Sequence, residues 1–297
     1  MEALIGAFFT PGLWNVGFNW VVVSIGGLYL SATGRWRGQF PGSTPVPIGK
    51  KMLFLTGLAL FYLALGSPIH PIGHELFSVH MLQQSILYLI MPPLLIRGIA
   101  PWMWKRILQT APGKKWASWG KRPVVALLMF NGLFSLYHVP RVLDFLMGNE
   151  GYHLLSHGLL VLTATLMWWP VMTPLSEAEV LSPLKKMVYI AAAGWLLTPA
   201  CALIIFADHL LFASYSGSAI FSVLSPENDQ QLGGVTMKIL QEITYAVALG
   251  HTFLQWVRRE GEKDRYGIPD DEAVTEKKGE TTDWIAPSPE GTGASRN

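Results

Sequence analysis

Residues 76–96 read Leu76-Phe-Ser-Val-His80-Met-Leu-Gln-Gln84-Ser-Ile-Leu-Tyr88-Leu-Ile-Met91-Pro-Pro-Leu-Leu-Ile96, without one Lys, Arg, Asp or Glu. A helix needs about 20 apolar residues to cross a hydrocarbon core of ~30 Å, and this stretch is long enough. Pro92-Pro93 should break or kink it near its end, because proline removes a helical donor and clashes with the preceding turn. Six further apolar runs of helical length flank it, at 14–30, 51–65, 123–137, 152–172, 187–206 and 232–257. The second and fourth of the seven are short and are expected to extend at their ends. The reading is an all-α polytopic membrane bundle of about seven transmembrane helices, with loops at 34–49 and 112–121.

Composition points the same way. Of 297 residues, 51% are hydrophobic and only 14% are charged, against about a quarter charged in soluble domains. The net charge of +2 is a near-balance and gives no pointer to nucleic acid. Cys201 is the sole cysteine, which excludes an internal disulfide and a Cys-Cys metal motif. The opening Met1-Glu-Ala-Leu-Ile5 lacks a basic n-region, so no cleavable signal peptide is expected. Residues 1–258 form the transmembrane domain in this reading. Residues 259–297, rich in Glu, Asp, Lys, Thr, Ser, Pro and Gly, carry too little apolar surface to fold and form a disordered cytoplasmic tail.

Orientation follows from the basic residues of the short loops. Arg35, Arg37, Lys50 and Lys51 mark the first loop; Arg97, Lys105, Arg106, Lys114, Lys115, Lys121 and Arg122 the third; Lys185 and Lys186 the fifth; and Arg258-Arg259 the start of the tail. The N-terminus and the second and sixth loops have none, and the fourth has only Arg141. The N-terminus is therefore expected outside and the C-terminus in the cytoplasm, in a bacterial plasma membrane.

That topology gives the histidines an address. His70, His74, His80, His138, His153, His157 and His209 all fall at the outer end, and only His251 lies near the inner one. His153 and His157 are four apart on a helix, so they share a face and can hold one ion together. His80 and Gln84 repeat that spacing, with Met81 beside them, and His138 and Asp208-His209 come from other helices at the same depth. Imidazole with thioether suits copper, while imidazole with carboxylate also suits zinc or iron. Ionisable groups inside membrane segments are expensive and are by default functional candidates; the bland alternative is a set of hydrogen-bonding interfacial residues.

Other features read as structural. Lys238 and Glu242, four apart, can neutralise one another within the membrane. Trp14, Trp102, Trp104, Trp168, Trp169 and Trp256 suggest an interfacial belt. Met129, Met167 and Met172 read as packing residues and Cys201 as a small apolar filler. No phosphate loop, nucleophile elbow or HExxH motif is present, so the chain is read as a non-enzyme.

Several runs resemble the CtaG family of membrane-embedded cytochrome c oxidase assembly factors. They are His80-Met-Leu-Gln-Gln84, Met91-Pro-Pro-Leu-Leu-Ile-Arg-Gly98, Tyr137-His-Val-Pro140, His157-Gly-Leu-Leu with Met167-Trp-Trp-Pro-Val171, Ala207-Asp-His209 and Asp229-Gln-Gln-Leu-Gly-Gly234. The resemblance implies assembly of a caa(3)-type oxidase, by supplying or inserting copper at the binuclear centre of subunit II. The oxidase subunit and the lipid bilayer would be its partners. It carries over His80, His138, His157, Asp208 and His209 as candidate copper ligands, with His153 close by on the same face. Gln84 stands where the family pattern has a second His, and His70 and His74 match no family landmark. The competing expectations are a haem-binding or haem-handling membrane protein, with paired axial histidines, and a copper transporter. A site that hands copper on is expected to be a shallow, partly open rim.

Overall fold

The computed structural model describes residues 2–216 and 224–266. Its helices are α1 (Glu2–Phe8), α2 (Val16–Thr33), α3 (Ile48–Gly66), α4 (Ile69–Glu75), α5 (Phe77–Ser85), α6 (Met91–Gly98), α7 (Pro101–Gln109), α8 (Ala111–Gly120), α9 (Pro123–Tyr137), α10 (Pro140–Met147), α11 (Glu150–Met172), α12 (Pro183–Ile205) and α13 (Pro226–Tyr266). No strand occurs among the described residues. Five spans are long and apolar enough to cross a membrane: Val16–Thr33, Ile48–Gly66, Phe77–Gly98, Glu150–Met172 and Pro183–Ile205. A sixth is counted if α9 and α10, bent by 77° at their junction, form one span. The chain is therefore a multi-pass, all-helical membrane protein. The short second run does extend, to Ile48–Gly66.

The span that decided the fold is continuous but not uniform. A π-turn, Ile86–Ile90, joins α5 to α6, and Pro92 and Pro93 occupy the first turn of α6. The Tyr88 carbonyl would accept from residue 92 in an α pattern or residue 93 in a π pattern, and both are prolines without an N–H. Trp168 of α11 fills the gap, donating its Nε1–H to that carbonyl at 3.1 Å. The expected break is thus a π-turn whose orphaned carbonyl ties two helices together.

Packing around this span is close. Gly98 at the end of α6 meets α3 so tightly that a Cβ there would lie 2.5 Å from the Phe54 nitrogen. The Tyr29 hydroxyl of α2 donates to the Gly98 carbonyl at 2.8 Å. Tyr88, Phe130, Phe134, Met167, Trp168, Trp169, Leu197 and Cys201 form the buried centre between α6, α9, α11 and α12. On α13, Lys238 pairs with Glu242 at 2.6 Å and donates to Thr198 Oγ1 at 2.9 Å, as mutual neutralisation requires.

Three sequence readings need correction or a boundary. Residues 112–121 are not a loop. Residues 112–120 lie in α8, with Lys121 at its C-cap; Thr110 accepts from the Gly113 N–H at 3.1 Å and Pro112 sits in the first turn, a position that tolerates a missing donor. Trp102, Trp104, Trp168 and Trp169 are buried rather than arrayed in a belt. Trp104, Trp116 and Trp169 pack ring against ring with centroids 4.6–5.8 Å apart, because large aromatic surface gains more from burial than from the interface. The chain divides into two compact units, Met1–Thr252 and Phe253–Asn297. The described part of the second is the end of α13, helical through Tyr266, and the expected disordered tail from 267 onward lies outside the described residues.

Candidate metal centre

Two helix starts set the centre. α5 opens at Phe77 with no cap of its own. Asp229 of α13 supplies one: its Oδ2 accepts from the Phe77 N–H at 2.7 Å and the Ser78 N–H at 3.4 Å, and its Oδ1 accepts from the Ser78 hydroxyl. A carboxylate at a helix N-terminus is favoured by the orphan N–H groups and the helix dipole. This cap fixes His80 one turn into the span. At the start of α11, Asn149 Oδ1 accepts from Gly151 and Tyr152, placing His153 and His157 on the first two turns of one face.

The three imidazoles converge. His153 Nε2 and His157 Nε2 are 3.1 Å apart, and one ring nitrogen from each of His80, His153 and His157 lies within 4.8 Å of the others. Their exposures are 0%, 3% and 3%, so the site is buried and not the shallow rim expected of it. Side chains from the surrounding helices orient the rings. The Tyr88 hydroxyl is hydrogen-bonded to His157 Nδ1. The Gln84 amide lies 2.8 Å and the Tyr137 hydroxyl 3.2 Å from His80 Nε2. His80 Nδ1 and Gln84 Oε1 are buried without a partner.

Those orphans test whether a metal fits. Two imidazole nitrogens bound to one tetrahedral ion at about 2.0–2.1 Å lie roughly 3.3 Å apart, close to the 3.1 Å seen between His153 and His157. An unsatisfied buried ring nitrogen costs free energy that a bound cation would relieve. Hydrogen bonds to the far nitrogen of a ligating histidine are the usual means of orienting it, and Tyr88 occupies that place on His157. Three neutral imidazoles suit copper, zinc, iron or nickel. No thioether joins them: Met81 is fully buried in the apolar core and faces α13 beside Gly233.

The remaining expected residues divide. His138 is buried at the end of α9, but its Nδ1–H donates to the Phe134 carbonyl at 2.8 Å and its ring lies on Phe134; it stands outside the three-imidazole group, with Nε2 unpartnered. Asp208 and His209 are exposed in the turn after α12 and bond to each other at 2.8 Å. That bond holds the Asp208 carboxyl below its usual pKa. The structure does not bring this pair to the imidazoles: although Phe212 and Tyr215 of the same turn pack on Phe77 and His80, the Asp208 and His209 side chains point to solvent.

Two residues that rested on position alone are brought in. α4 lies over the centre, with Gly73 close against the His80 backbone and its carbonyl accepting from the Tyr215 hydroxyl at 3.1 Å. The His74 ring sits 4.8 Å from His153 and 5.0 Å from His70. His70 Nδ1 accepts from Gln83 Nε2 at 3.0 Å, while that amide also donates to the Ala64 carbonyl. Burial lowers the pKa of both histidines, His74 adding to the effect at His70 and Glu150 and Glu75 opposing it at His74. Sequence reasoning also passed over Tyr88 and Asp229 as site residues. Tyr88 was signalled by its spacing, the third member of His80, Gln84 and Tyr88 on one helix face.

The motif around Asp229 has a physical basis throughout. Gln230 accepts from the Leu211 N–H and donates to the His209 carbonyl, and Gln231 donates to the Ala207 carbonyl. Gly233 and Gly234 let α13 approach Phe77 and Ile204–Ile205, where a Cβ would come within 2.6 and 2.8 Å of side-chain carbons.

Comparison with known proteins places the chain. Two uncharacterised proteins, from Mycobacterium bovis and Mycobacterium tuberculosis, are each 26% identical to it over 169 residues. The alignment takes in 52% of the chain and only 25% of either relative. No solved structure matches. The family of cytochrome c oxidase caa3 assembly factors matches residues 27–259, from within α2 well into α13. By that match the chain belongs to the Caa3_CtaG family of cytochrome c oxidase assembly factors.

Proposed function

We propose that this protein assembles a caa3-type oxidase by holding copper as cargo at His80, His153 and His157 and passing it to the copper-bearing subunit II. The observation that carries this reading is the convergence of three buried imidazoles within 4.8 Å, oriented by Tyr88, Gln84 and Tyr137. Cys201, the sole thiol, is buried in the core of α12 away from them. Imidazole nitrogens without thiolate make a site that suits copper as well as zinc or iron. No bond of a substrate is made or broken, so the role is that of a carrier and not an enzyme.

The reading includes an orientation. The asymmetry of basic residues between the loops supports an N-terminus outside the plasma membrane, with α13 as a seventh crossing despite Lys238 and Glu242. His80 and the His153/His157 pair, each at the beginning of its span, then lie at the outer end.

Purified full-length protein loaded with copper should bind one ion per chain, and His80→Ala, His153→Ala and His157→Ala should each lose it. Unchanged copper content in all three variants sinks the proposal. A deletion strain should make oxidase subunits that lack copper-centre absorbance.

A further inference from the structure

A buried metal site must be reached from somewhere, and the molecule offers one graded path of imidazoles. His70 and His74 are half-buried on α4, whereas His153, His157 and His80 are almost wholly enclosed. Successive ring centroids are 5.0 Å from His70 to His74, 4.8 Å from His74 to His153 and 4.5 Å from His153 to His157. The two outer rings differ in one decisive respect. His70 Nδ1 is held by the Gln83 amide, whose orientation is fixed by its second bond to Ala64, so its proton sits on Nε2 and no lone pair is free. His74 has no hydrogen-bond partner among the described residues, and a neutral imidazole with an unengaged nitrogen is a ready ligand. Glu75 and Glu150 act electrostatically on the same ring, giving the mouth a negative field that concentrates cations.

We propose that His74 is the gateway ligand: it takes a copper ion at the surface and passes it by ligand exchange to His153, and so into the buried centre. This inference rests on the copper reading of the three-imidazole site. The transfer needs no redox change or co-reactant: the bond to the His74 nitrogen breaks as the bond to the His153 nitrogen forms. α4 is short and lies on the His80 backbone through Gly73, so the ring is presented to His153 without a long flexible tether.

The test follows uptake of cuprous ion from its coloured bicinchoninate complex by the full-length protein in detergent. His74→Ala should reach the wild-type stoichiometry but about tenfold more slowly, the lower end of the cost of disturbing groups around a metal ligand. His153→Ala should lose stoichiometry, and His70→Ala should keep both rate and stoichiometry. If His74→Ala fails to fold, modification of the wild-type protein with diethylpyrocarbonate, located by mass spectrometry, replaces it: copper uptake should slow in proportion to modification at His74. Wild-type uptake kinetics after loss of His74 overturn the gateway alone. Loss of bound copper in His74→Ala makes it a permanent ligand and also overturns it. Failure of the wild-type protein to bind copper overturns both the gateway and the copper reading.

Discussion

Asp229→Ala tests the link between the α13 motif and the metal centre. Asp229 is buried, and it caps α5 from another helix by accepting from the Phe77 and Ser78 backbone and the Ser78 hydroxyl. Alanine leaves the Phe77 N–H unpaired next to a fully buried ring, at about 1–3 kcal/mol for an unsatisfied buried donor. It also removes a negative charge from a helix N-terminus, worth roughly 0.3–2 kcal/mol. The combined loss is about 1–5 kcal/mol, with 2–4 the central range. For a chain of this size it should lower the thermal midpoint by about 5–15 °C. Asp229→Asn keeps an oxygen for Phe77 and loses only the charge, so it should cost about 1 kcal/mol. Midpoints of the full-length protein in mild detergent give the ranking, wild type above Asn above Ala. Because the cap sets the first turn that carries His80, bound copper should fall in the same order. An Ala variant that melts with the wild type, or Asn and Ala variants that melt together, would refute the capping argument.

Tyr88→Phe removes the hydrogen bond to His157 Nδ1 and should weaken copper binding by roughly 10- to 100-fold, read by competition with a chromophoric chelator, and should lower stability by about 1–3 kcal/mol because that buried nitrogen is left without a partner. Gly98→Ala drives a methyl into the Phe54 backbone; it should destabilise by about 1–3 kcal/mol, seen as a lower thermal midpoint and lost packing of α3 on α6. Lys238→Met leaves Glu242 without its cation at the depth of Thr198. An unpaired charge at the centre of a membrane helix costs ~2.5–3.5 kcal/mol, so the variant should lose up to about 2 kcal/mol. Lys238→Met with Glu242→Gln should recover most of the loss, and strictly additive effects in that cycle would show that the pair is not coupled.

The helical framework was legible because a membrane span writes its length into uncharged residues, and the runs at 76–96, 123–137 and 152–172 recur as Phe77–Gly98, Pro123–Tyr137 and Glu150–Met172. What hid α7, α8 and α10 was the punctuation itself. Pro101, Pro112 and Pro140 each sit in the first turn of a helix, where the missing N–H costs nothing. The site was legible in depth but not in azimuth. Counting residues from a span's end says how far a histidine lies from the membrane surface, and by that measure His74 and His209 are equals. Only packing separates them: Gly73 lets α4 settle on His80 and turn His74 toward His153, while the His209 side chain points to solvent and pairs with Asp208. Periodicity recovers azimuth within one helix, which is why His153 with His157, and His80 with Gln84, could be paired from spacing, whereas contacts between helices could not. Burial was the quantity furthest from reach, and it alters the chemistry most. An open rim would let a bound ion exchange with a partner directly; three enclosed imidazoles need a route to the surface, and the half-buried ring of His74, 4.8 Å from His153, lies along the one proposed above.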